Sequence, residues 1–249
     1  GDRRASEIPA IGTSILSRCK HAIEARDHIG EAYYAPHSDG SSDHTTYHFD
    51  YLTLLLVGAL DAQARIAHRA YGLKGTDRVN FRGGTSSGFV QGLRKAGAMP
   101  LYDLLIEPRT EALLTLLFEI RNTIHSASLA SHGYHTTGKG PGWIEVNEGE
   151  LATKLWNAAS AAGGAEAWGL KKVRYQLGDK GPVVEPIQLA PYPYAVQLVR
   201  DGLGLVDRIA AATDVDRLFD SRERPDLLER PPEDQIYSTD VMTRLGLLG

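Results

Sequence analysis

The chain has 249 residues, 42% hydrophobic and 23% charged, with a formal net charge of −4. That is the make-up of an ordinary soluble globular protein, and it excludes polyanion binding driven by bulk charge. A single cysteine, Cys19, excludes an internal disulfide framework and a cysteine-based zinc centre, and a reducing cytoplasm is expected.

The first helix is expected over about 7–34, where Ile8, Ile11, Ile15, Leu16, Cys19, Ile23 and Ile29 share one broad face. APHSDGSSDHTT (35–46) reads as a loop, with Ser42 or Asp43 capping a second helix over about 44–71. The middle of that helix is apolar nearly all round, which predicts a central position. Its run YLTLLLVGAL (51–60) is about half of a membrane span, so no membrane partner is expected, and no signal-peptide pattern is seen. A glycine-rich loop follows at 72–88, then a short helix over about 89–97. Pro100 and Pro108 suit first-turn positions, and the main helix of this region is expected from Pro108 to about Ala130. SHGYHTTGKGPGW (131–143) reads as a loop, 148–162 as a helix ended by Gly163 and Gly164, 172–187 as a β-hairpin, and 193–212 as a last helix. Together these predict a mainly α protein, an up-and-down helical bundle with a small β-hairpin insertion, in one domain over 1–220 with an extended or mobile tail over 221–249.

Charge is uneven along the chain. Seven basic residues between Arg65 and Lys95 stand against one acid, Asp77, while 214–234 holds eight acids and four arginines. Solvated helix faces are the first reading; a basic surface beside an acidic tail is the alternative.

The helix LLTLLFEIRNTIHSASL (113–129) carries the main candidate site. With Leu113 at zero and about 100° per residue, Arg121 falls near about 80° and His125 near about 120°, between Leu114 and Phe118. A guanidinium on an apolar face needs a partner. An internal acid, Asp50 or Asp61, would make the pair structural; a ligand or a second chain would make it functional.

The segment IRNTIH resembles the hallmark of the HEPN superfamily (higher eukaryote and prokaryote nucleotide-binding domains), an Arg, a polar residue and a His near the end of a bundle helix. The resemblance covers this motif and a coarse helical pattern over 1–135 plus one later helix. It places Arg121, Asn122 and His125 in the catalytic roles and implies a homodimer with two such helices facing each other. It also implies a metal-independent endoribonuclease of a toxin or defence system, or an RNA- or nucleotide-binding module, with no cofactor. Three residues separate Arg121 from His125, fewer than is usual in the family. In that chemistry the RNA 2′-hydroxyl attacks its own phosphate and leaves a 2′,3′-cyclic phosphate. His125 moves the proton, Arg121 holds the phosphate and Asn122 orients the pair.

Lys139, in GYHTTGKG (133–140), is a candidate phosphate contact, although Gly140 stands where a P-loop needs Ser or Thr. Arg82, in FRGGTSSG (81–88), is a second, beside amides that can form an anion nest. No metal is expected in the leading reading. The weak alternative is a DinB-like metal-binding bundle enzyme using His44 and His48, four apart on a helix, with His125 or His21 as third ligand. The runner-up from another class is a non-catalytic interaction or scaffold bundle.

Overall fold

A computed structural model describes residues 7–36, 38–74, 79–126, 134–135, 142–146, 149–176, 181 and 183–218. The chain divides into two units, Gly1–Asp214 and Val215–Gly249. In the second, the described residues form a short 3-10 turn, Val215–Leu218. The tail expected over 221–249 lies outside the described residues.

The first unit is mainly α. Its helices are α1 (Ile8–Tyr34), α2 (Asp39–Ala70), α3 (Gly88–Lys95), α4 (Met99–Leu105), α5 (Pro108–Ser126), α6 (Glu150–Ala161) and α7 (Pro191–Ala212). α1 and α2 make the most extensive helix pairing, α1 and α2 both pack on α7, and α5 lies against α2 and α6. α2 is the central element: Leu52, Leu56, Val57, Ala59, Leu60, Ala64 and Ala67 are all buried. Thr45, Thr46 and Thr53 are buried on it too, each donating its hydroxyl to a carbonyl one turn back, so none of the three hydroxyls is left unpaired. α7 is tied to α2 by the buried Gln63 amide, which donates to the Val206 carbonyl at 2.6 Å. Close approach is permitted by small residues. A Cβ at Gly30 would meet the Tyr192 ring at 2.6 Å, and one at Gly202 would meet Leu56 Cδ1 at 3.2 Å.

α2 begins at Asp39, earlier than the expected 44, so the connection from α1 is four residues rather than nine. Ser38 caps it, accepting from the Ser41 amide while the Ser41 hydroxyl accepts from the Ser38 amide. Asp39 sits in the first turn, where the helix dipole favours an anion. The polar run that reads as a loop is therefore a capping box and its first turns.

The β structure is larger than one hairpin. β4 (Tyr175–Gln176) and β5 (Val183–Val184) form the expected hairpin, with Tyr175 opposite Val184. β1 (Tyr134–His135), β2 (Trp143–Val146), β3 (Leu170–Lys172) and β6 (Ile187–Leu189) add a four-stranded antiparallel sheet in the order β1-β2-β6-β3. Two of these strands fall in or at the edge of the stretch read as a loop. In β2 only Ile144 and Val146 point inward, a period of two too short to stand out after a glycine-rich segment.

Sheet and bundle meet at an aromatic core. Trp168, Tyr194 and Phe49 are each 0% exposed; the Trp168 ring lies 5.3 Å edge-on from Tyr194, which lies 5.6 Å from Phe49. No described helix is long and apolar enough to cross a membrane.

Candidate functional site

α5 carries Arg121 into a groove of ≈ 1380 Å³. Lys74, Arg82, Lys95 and Arg121 line it together with Ser86 and Ser87, and no described lining residue is acidic. The local fold explains why these residues meet. Gly83 and Gly84 take positive φ (92° and 47°) and turn the chain back on itself. Ser87 then caps α3, accepting from the Val90 amide, so the amino end of α3 opens onto the groove. The stretch read as a possible anion nest thus joins Arg121 through the fold, although nearly forty residues of sequence separate them.

Arg82 is not free within the groove. Its Nη2 donates to Glu119 Oε1 at 2.8 Å, and Lys154 Nζ lies 3.5 Å from the other oxygen of the same carboxylate. A helical wheel puts Glu119 on the solvent side of α5, yet it is only 16% exposed because α6 packs there.

Arg121 is half-buried, as is Asn122, and its Nη1 reaches Asn122 Oδ1 at a long 3.5 Å. Its charge acts on Asp61 of α2, the second of the two acids weighed for it from sequence. Burial raises the Asp61 carboxyl above its ordinary 3.8, and this outweighs Arg121, Arg65 and Arg18, which pull it down. Folding therefore favours protonated Asp61. Stability from this group is complete below the unfolded pKa and is lost as pH rises through the higher folded value. Asp61→Asn is accordingly expected to gain in thermal midpoint relative to wild type as pH climbs from 3.8. A pH-independent difference, read by circular dichroism, would show that the three arginines cancel the burial.

His125 lies one turn beyond Arg121 on the same face of α5; its side chain is outside what is described, and so is Lys139. His44 and His48 are not near Arg121. They stand near the start of α2 and meet His28 of α1, a residue the sequence reading did not single out. The ring centres of His48 lie 4.4 Å from His44 and 4.7 Å from His28. His21, the other proposed third ligand, instead lies 3.9 Å from Glu24. The missed signal was the length of the connection. With a turn centred near 36–37, position 28 mirrors 44–45 across an antiparallel helix pair; with the loop expected over 35–46 it mirrors a position far down α2.

No protein-family model matches the chain, and no curated protein or solved structure matches it either.

Proposed function

We propose that this is a HEPN-like RNA- or nucleotide-binding protein whose groove holds phosphates. We further propose that Arg121, Asn122 and His125 act there as a metal-independent endoribonuclease site. The observation that carries this is the groove itself, four cationic side chains with no described acid in its lining, in a chain of net charge −4. Two details support it. Glu119 pairs with Arg82 rather than with Lys74, Lys95 or Arg121, and burial raises the Asp61 carboxyl above its ordinary value against the pull of Arg121. Ser86 and Ser87 line the groove, and the start of α3, which Ser87 caps, presents its amino end there. A cytoplasmic location and a homodimer with α5 facing α5 complete the proposal; a monomer in sedimentation at assay concentration removes the second part.

Binding is tested by fluorescence anisotropy of a labelled single-stranded RNA over a salt series. Each neutralised phosphate contributes about −0.7 to the slope of log K against log salt, so three or four contacts give about −2 to −3. Arg121→Ala and Lys95→Ala should each flatten the slope by roughly 0.7. A slope near zero, or one unmoved by both substitutions, removes the groove as the binding surface. The competing reading, a scaffold bundle with a structural Arg121, rests on its coupling to Asp61; it predicts that Arg121→Ala lowers stability and leaves RNA binding untouched.

A further inference from the structure

The opposite end of the long helix pair carries an independent cluster. Three histidines from two helices, His28 on α1 and His44 and His48 on α2, bring one ring nitrogen each to within 4.8 Å of the others. At 1.5 Å per residue, His48 lies roughly 20 Å along α2 from Asp61, well away from the groove.

We propose that His28, His44 and His48 bind a divalent transition-metal ion of the zinc class, with Glu31 orienting His28. The first support is composition. Three neutral imidazoles are a sufficient protein donor set for such an ion, and two of them come from i and i+4 of one helix turn. The second is the shell behind them. His28 Nδ1 lies 3.1 Å from Glu31 Oε2, a carboxylate–histidine pairing of the kind that usually supports metal-ligating histidines. The third is His48. Its Nδ1 is buried without a hydrogen-bond partner, an unmet donor or acceptor that costs stability as it stands.

Zinc–nitrogen bonds of about 2.0–2.1 Å in a tetrahedron set the nitrogens about 3.4 Å apart. Binding therefore draws the rings together by side-chain rotation. His28 and His44 are exposed, so the fourth position faces solvent and would hold water or an added ligand. The ion would also tie the end of α1 to the start of α2.

The test uses the full chain, stripped with a chelator and dialysed. Zinc chloride is titrated in by calorimetry, and cobalt is added as a reporter of tetrahedral coordination through its visible absorption. One equivalent should bind, with a tetrahedral cobalt spectrum and a raised thermal midpoint. His28→Asn, His44→Asn and His48→Asn should each weaken binding at least about 100-fold, and Glu31→Gln about 10–100-fold. His21→Asn should leave binding unchanged. Thermal midpoints in EDTA establish that each variant is folded, and the exposed Glu31→Gln keeps the test open if a histidine variant is not. Less than one equivalent in the wild type, binding that survives His48→Asn, or an equal loss in His21→Asn would each overturn the site.

Discussion

Truncation of Trp168 to alanine is expected to lower the stability of the 1–214 unit by roughly 3–5 kcal/mol, the cost of deleting a fully buried aromatic and leaving a cavity. Trp168 is 0% exposed, precedes β3 and packs edge-on against Tyr194 of α7, which in turn touches Phe49 of α2. Loss of this one ring removes contacts on both the sheet and the bundle. Trp168→Phe should cost much less. It keeps a ring in place and removes an indole N–H that is buried without a partner, a group that is expensive to leave unpaired. Urea unfolding followed by tryptophan fluorescence and by far-ultraviolet dichroism measures both variants. A loss under about 1 kcal/mol for Trp168→Ala, or two probes that no longer coincide, would show that sheet and bundle are separate cooperative units.

The second large effect expected is on RNA cleavage, under the function proposed above. Single-stranded RNA incubated with the wild-type chain in EDTA should be cut to products ending in a 2′,3′-cyclic phosphate. His125→Ala should slow this by about 10²–10⁴, the usual worth of a positioned proton-transfer group. Arg121→Ala should slow it by about 10²–10³, through loss of charge stabilisation at the phosphate. Both residues lie on α5 one turn apart, so the substitutions test one helix face. Cleavage undiminished in a folded His125→Ala variant removes that residue from the chemistry. Cleavage abolished by EDTA and restored by zinc would instead move the reaction to a metal, with His28, His44 and His48 the first place to look.

Much of the fold is legible in sequence because helices declare themselves over many residues. The period of 3.6 locates α1 to within a residue, proline's first-turn preference starts α5 at Pro108, and the glycine pair Gly163 and Gly164 ends α6. What escapes is short or reciprocal. Strands of two to four residues carry too few alternations to declare a period, and their pairing of Ile144 with Leu189 spans more than forty residues. The capping box at Ser38 and Ser41 looks like a loop because serines favour turns as well as caps.

The candidate site divides the same way. A wheel finds the unusual position of Arg121, and composition offers Asp61 among its possible partners. No wheel of one helix can show that Lys74, Arg82 and Lys95 gather beside Arg121, nor that α6 covers Glu119. His28 was hidden because the connection was expected to be longer than it is, since mirror positions across a helix pair shift with the length of the turn.

A mechanical consequence follows from the join between β6 and α7. The central strand of the sheet ends at Leu189 and the helix begins at Pro191, so Ala190 alone connects them, and its amide is already committed to the Gly169 carbonyl at 2.9 Å. Proline at the start of α7 fixes one further backbone angle. A movement of β6 is therefore passed almost directly to α7, as a lever and its shaft turn together.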